Sequence, residues 1–227
     1  MKVSIICPVW NRSDLTHRFL GQHWMIYMGY PGVEWVIVDN ASTDNTAAVL
    51  NTWQRIMGPR LKVLTMEKNI GFGPANNRGA DVAEGDILAF VSNDVNADGD
   101  YLTPLSEAIQ GEPNALYGAQ IFSHNTGWNT FKEVGRIAYI AGWCVVSERQ
   151  FWAKIGPWDE RFVPCDYEDL DLSYRVQKAN FPIVPLKLPL RHDSGKSAEN
   201  LAGGRLKVTL ENKQRFIEKW GLTPVNV

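Results

Sequence analysis

"EWVIVDNASTDNTAAVLNTWQRIMG" (residues 34–58) holds a whole structural unit. Trp35 to Val38 form a short β-rich run that ends on Asp39. Ser42 or Asp44 can cap the next segment, which reads as a helix closed by Gly58. The neighbouring segments repeat the unit. "VSIIC" (3–7) is a strand stopped by Pro8. After it, Ser13 can cap a helix in which Leu15, Phe19 and Leu20 recur at helical spacing. "LKVLTME" (61–67) is a third strand, "PANNRGADVAEG" (74–85) a short helix, and "DILAFVSND" (86–94) a fourth strand running into polar residues. Strand and helix alternate, which predicts an α/β fold with a mostly parallel sheet flanked by helices.

In such sheets ligands bind beyond the carboxyl ends of the strands. Polar residues fall at those ends here: Asn11, Asp39, Asn69, Asn93 and Asp94. The second half is less regular. "NALYGAQIFS" (114–123) and "RIAYIAGWCVVS" (136–147) read as strands. "ERQFWAKIG" (148–156) reads as a helix capped by Ser147, and "DLDLSYRVQKAN" (169–180) as another helix. "FPIVPLKLPLRH" (181–192) is extended, and residues 203–221 make a closing amphipathic helix ended by Gly221.

The 227 residues are 44% hydrophobic, enough for one sizeable domain with a small elaboration. A net charge of -2 gives no global signal for nucleic acid. No apolar stretch approaches the roughly 18 residues of a membrane span. Three cysteines, with Cys7 inside an apolar run, fit a reducing compartment. The expectation is a cytoplasmic protein, free or peripheral to a membrane.

"CDYEDLDLSYR" (165–175) gathers four carboxylates: Asp166, Glu168, Asp169 and Asp171. Acids suit the first turn of a helix, and Asp171 with Arg175 makes a favourable surface pair four residues apart. The alternative is that one of the four takes a proton from a substrate.

"CPVWNR", "VDNASTDNT", "NIGFGPANNRG", "VSNDV", "AGWCVVSERQFWAKIGPWDERF", "YEDLDLSYR" and "RHDSGKS" succeed one another between about residues 3 and 197. In this order they resemble the inverting family-2 glycosyltransferases of the GT-A fold, of the rhamnosyltransferase-like, cell-surface-glycan type. That resemblance implies one domain over 1–227 with a single Rossmann-like sheet. A nucleotide-sugar half would span about 1–97, a smaller acceptor-side half about 98–200, and a closing helix about 201–227. The activity implied is transfer of a sugar from a nucleoside diphosphate sugar to a hydroxyl acceptor, a glycan first among the candidates. The donor expected first is a UDP-sugar, with dTDP and GDP sugars as alternatives, and the cofactor is Mn²⁺ or Mg²⁺.

The resemblance also assigns residues. Pro8, Trp10 and Asn11 would lie near the nucleotide, and Asp39 on the base or ribose. Asn69, Gly71 and Asn76 or Asn77 would line the sugar-nucleotide pocket, and Asn93 would also belong to the donor-binding set. Asp94 would hold the cation, in a motif that reads Ser92-Asn93-Asp94 where a carboxylate or amide often stands first. His192 would be the second metal ligand, and Lys196 could contact the diphosphate. Asp169 would be the base, with Glu168 next in line, and Trp143, Trp158 and Asp159 would border the acceptor. Arg78 reads as a structural ion pair. Two other classes stay open. One is a degenerate nucleotide-sugar or carbohydrate-binding module. The other is a sugar nucleotidyltransferase, although "CPVWNRSDLTH" is not the Gly-rich basic loop that such enzymes begin with.

Overall fold

A computed structural model describes residues 1–123, 128–193 and 204–225. In chain order the elements are β1 (Val3–Val9), α1 (Ser13–Tyr27), β2 (Val33–Asp39), α2 (Thr46–Met57), β3 (Leu61–Thr65), α3 (Phe72–Val82), β4 (Ile87–Val91), β5 (Val95–Ala97) and α4 (Leu102–Gly111). The short strands β6 (Leu116–Gly118), β7 (Ile121–Phe122), β8 (Thr130–Phe131), β9 (Gly135–Arg136) and β10 (Tyr139–Ile140) come next. The rest comprises β11 (Cys144–Glu148), α5 (Arg149–Ile155), α6 (Glu168–Lys178), β12 (Ile183–Pro185), β13 (Leu190–His192) and α7 (Arg205–Trp220).

The central sheet has seven strands in the order β12-β6-β11-β4-β1-β2-β3. β4, β1, β2 and β3 run parallel, and β11 enters antiparallel between β4 and β6. The alternation expected of strands buried on both faces is present. Ile5, Cys7, Trp35 and Ile37 join one core beside α1 and α2, while Ile6 and Val36 join the other. A third cluster, around Phe216, Tyr167, Leu170 and Tyr174, fastens α7 to α6.

Local capping differs from the sequence pattern in instructive ways. Ser13 does not cap α1: its N–H donates to Asp44 at 2.8 Å, so one carboxylate ties the starts of α1 and α2 together. Ser147 does not cap α5 either. It lies inside β11 with no exposed surface, and Glu148 precedes the helix. Gly58 and Gly221 end α2 and α7 with positive φ, as expected. Strand β5, folded against β13, is a separate element that the sequence pattern does not mark.

Gly118 sits where β6 meets both β11 and β12. A Cβ there would lie 2.6 Å from the Cys144 carbonyl oxygen and overlap the Ile140 side chain. Gly118→Ala is expected to cost about 1–3 kcal/mol through overpacking. A thermal melt would register this as a drop of several degrees, and an unchanged Tm would mean that β6 can shift.

Candidate active site

Two adjoining cavities open at the carboxyl ends of the parallel strands. The smaller, about 110 Å³, is lined by Pro8, Trp10, Asn40, Asn69 and Asn93. The larger, about 470 Å³, is lined by Asp94, Trp143, Glu168, Asp169 and His192 among others. Phe72, Ser92 and Cys165 border both, so together they form one cleft.

Tight turns after β1, β2 and β3 build the smaller cavity. Asn11 adopts a positive φ, accepts the Thr43 N–H at 2.8 Å and donates its own N–H to the Ser42 hydroxyl. It thereby locks the first two strand-end loops together. Asp39 is buried at the end of β2 and accepts the Ser42 N–H at 2.9 Å. Asn40, not singled out from the sequence, is the hub of the next loop. Its amide donates to Asn69 and to the Gly71 carbonyl, and its oxygen accepts the Ile70 N–H. Gly71 has φ +93°, and a Cβ on it would sit 2.8 Å from the Val163 side chain. Glycine is therefore required by both dihedral and space.

Three expected contacts are corrected. Asn76 is fully buried inside α3, with its amide on the Phe72 carbonyl, and lines neither cavity. Trp158 is a core residue, 1% exposed, packed against Phe72, Phe90 and Trp152. Its ring has no free face to offer a sugar. Asp159 is held by Arg161 and by Lys219, whose Nζ is 2.8 Å away, and it too lies outside both cavities. Lys196 falls outside the described residues. Arg78 pairs with Glu160 at 3.5 Å, as a structural ion pair.

Asp94 and His192 come together through the β5–β13 ribbon. β13 runs antiparallel to β5, with His192 opposite Val95, and the Asp193 N–H closes on the Asp94 carbonyl at 3.0 Å. This sets His192 Nε2 3.3 Å from Asp94 Oδ1. Trp143 stacks on the His192 ring, 5.1 Å between centroids. Among the described residues no cluster of three or more metal-ligating side chains occurs. A carboxylate and an imidazole converging on an open cavity still fit a hard cation that takes its other ligands from phosphate oxygens and water.

Asp169 stands at the start of α6, partly buried in the wall of the larger cavity. The Gly142 N–H donates to its Oδ2 at 2.9 Å and the Leu170 N–H to its Oδ1 at 2.8 Å. Burial raises its carboxyl, the two backbone donors lower it, and Asp166 raises it again, leaving it pushed up to about 6. Glu168 beside it is buried more deeply and pushed well above the ordinary carboxylate range by burial, then by Asp169 and Asp166. Asp171 does pair with Arg175, at 3.0 Å, but the pair is interior: Asp171 has no exposed surface and also receives Lys219 and Trp220. Asp166 pairs with Arg205 across the cavity rim. The four acids are thus sorted by their partners, and Glu168 and Asp169 are the two that have no cation bound to them in an ion pair among the described residues.

The loop 141–143 joins the two sides of the cleft. Gly142 holds Asp169, the Trp143 carbonyl accepts the Ser92 N–H, and the Trp143 ring carries His192. Other cavity residues that sequence reasoning missed are Phe72, Gln120, Phe122, Trp128, Tyr139 and Arg205. Gln120, Phe122, Trp128 and Tyr139 come from short strands and loops whose sequences carry no marker of their own, while Phe72 and Arg205 are the first residues of α3 and α7.

The family model described as "Glycosyl transferase family 2" matches residues 4–165. The O-antigen biosynthesis protein RfbC of Myxococcus xanthus is 28% identical over 214 residues, covering 81% of this chain and 16% of that protein. The putative teichuronic acid biosynthesis glycosyltransferase TuaG of Bacillus subtilis is 33% identical over 92 residues, covering 40% of this chain and 35% of that one. The chain therefore spans only a minor part of either relative's length. A solved structure of GalNAc-T7 with UDP, GalNAc and Mn²⁺ superposes with a TM-score of 0.72 at 16% identity, over 96% of this chain and 48% of that one. The likeness establishes a shared GT-A fold.

Proposed function

The chain belongs to glycosyl transferase family 2, and from that premise we propose that it transfers a sugar, with inversion, from a nucleoside diphosphate sugar to a hydroxyl of a glycan acceptor. The observation that carries this reading is the position of Asp169. It faces the same cavity as Asp94 and His192 while two backbone N–H groups hold its carboxylate in place.

In this reading the nucleoside lies over the smaller cavity, against Pro8, Trp10 and Asn69, with Asp39 behind the turn. The diphosphate points toward Asp94 and the sugar into the larger cavity. Asp94 and His192 would hold Mn²⁺ or Mg²⁺, which when bound neutralises charge on the departing diphosphate. The acceptor oxygen bonds to the anomeric carbon as the bond from that carbon to the diphosphate oxygen breaks. Asp169 takes the hydroxyl proton, and no covalent enzyme intermediate is needed. Its raised pKa suits a base: the carboxylate stays ionised near neutrality yet binds a proton more readily than a solvated aspartate. Trp143 flanks the acceptor side of the cavity. The names of the relatives, and the UDP and Mn²⁺ in the GalNAc-T7 structure, favour a UDP-sugar donor and a surface polysaccharide product.

Calorimetric titration with UDP, dTDP and GDP, each with and without Mn²⁺, tests the donor side. UDP is expected to bind more tightly with Mn²⁺, and Asp94→Ala to remove that enhancement, about tenfold or more in Kd for a lost charge-mediated contact. Failure of all three nucleotides to bind under either condition would sink the proposal. No described helix is long and apolar enough to cross a membrane.

A further inference from the structure

Glu168 is 5% exposed and lines the larger cavity. Its Oε2 is buried and has no hydrogen-bond partner among the described residues. A buried carboxyl oxygen without a partner costs free energy that a ligand can recover. Among the described residues the cation that acts on it is Arg205, which lowers the Glu168 carboxyl less than burial, Asp169 and Asp166 raise it. Asp169 and Asp166 are acids, and Arg205 is committed to Asp166 at 2.7 and 3.2 Å. Burial pushes the neighbouring Tyr139 and Cys165 upward, so both stay neutral. The N-terminus of α6 favours an anion at Glu168, but burial and the two acids oppose it.

We propose that Glu168 binds the acceptor as a hydrogen-bond donor, gripping an oxygen beside the attacking hydroxyl, so that the acceptor is a sugar ring with neighbouring oxygens and not an isolated alcohol. The proposal rests on the reading of Asp169 as base. Two consecutive residues then present opposite polarity to one cavity: Asp169 accepts the proton of the attacking hydroxyl and Glu168 donates to its neighbour. A neutral carboxyl has one O–H to give, and a ligand oxygen is the partner that the described residues do not supply. Phe122 and Tyr139, stacked at 5.1 Å on the same cavity wall, offer an apolar surface for a ring. A lone serine would leave both Glu168 and that surface unused, and a lipid alcohol could cover the surface but has no second oxygen for Glu168.

Two experiments decide it. With carboxyl-labelled glutamate, the ¹³C resonance that disappears in Glu168→Gln should mark a neutral carboxyl at about pH 7, well above the ordinary glutamate range. An ionised Glu168 at that pH overturns the proposal, whatever the enzyme's activity. Transfer from UDP-sugars to methyl pyranosides and their monodeoxy counterparts is the second. Glu168→Gln keeps an N–H donor and should retain most of the transfer. Glu168→Leu should lower kcat/KM for the acceptor by about tenfold to a hundredfold and erase the preference for parent over deoxy sugar. If Glu168→Gln loses as much as a base knockout, Glu168 acts as an anion and the proposal fails. If the wild type binds UDP but uses none of the pyranosides, the acceptor class is wrong. Absence of nucleotide binding would instead indict the sugar-transfer reading itself.

Discussion

Asp169→Asn is expected to lower sugar transfer by about a hundredfold to ten-thousandfold, the range that a positioned general base supplies, while leaving nucleotide binding within about twofold of wild type because a base acts on the acceptor proton in the transition state. Asparagine keeps the size of the side chain and one oxygen for the Gly142 or Leu170 N–H. It removes a carboxylate whose ionisation burial opposes, and it forfeits one backbone hydrogen bond. These changes offset each other, so Tm should move little. The pH profile carries the sign. In the proposed role Asp169 works ionised, and its carboxyl is raised to about 6, so wild-type transfer should rise through about pH 6 and then level. The residual rate of Asp169→Asn should lack that rise. A variant retaining a tenth of wild-type turnover with the same profile would move the base elsewhere.

Lys219→Met should give the largest loss of stability, about 3 kcal/mol, at the lower end of what breaking a buried ion pair costs. Lys219 bridges Asp159 at 2.8 Å and Asp171 at 2.5 Å, and Asp171 has no exposed surface. Trp220 and Arg175 complete the set, and Arg175 also donates to the carbonyls of Ile155, Gly156 and Pro157. Methionine would leave Asp171 on Arg175 and Trp220 alone and free α7 to move off α6. At Asp159 burial would raise the carboxyl, but hydrogen bonds from Arg161 and Lys219 outweigh it and hold it well below the usual range. Its folded-state pKa is depressed, so its contribution is full above about pH 4 and declines progressively below that, disappearing only as pH falls through the depressed folded value. Denaturant melts at about pH 7 and pH 3 should therefore show a smaller gap between wild type and variant in acid. An equal gap at both would assign the loss to packing.

The parallel half of the fold was legible because its signals are local. Runs such as "VSIIC" and "EWVIVD" carry strand composition, and the polar residues that end them sit where the topology puts them. The proposed base was legible as one of four acids, since three sit in the first turn of α6, where helix preference and the proposed chemistry coincide. What separates them is tertiary. Asp171 has the spacing of a surface partner of Arg175 and is interior because α7 covers it. His192 reaches Asp94 only through a ribbon of two three-residue strands distant in sequence, and such pairing leaves no periodic trace. Trp158 resembles a sugar platform in sequence because composition cannot separate an aromatic in a cleft from one in a core. Phe90 and Trp152, which bury it, lie on β4 and α5.

The bridge at residues 141–143 has a bearing on how substitutions combine. Gly142 positions the carboxylate on α6, and its neighbour Trp143 supports the imidazole on β13 and the turn after β4. Trp143→Ala would disturb both arms of the cleft at once, so its effect on turnover cannot be read as the worth of a single contact. Combined with Asp169→Asn or with a change at His192, it should cost less than the sum of the separate losses, because groups that share a support are energetically coupled. The two sides of the cleft then behave as one thermodynamic unit, and a change on one side can be felt on the other with no direct contact between them.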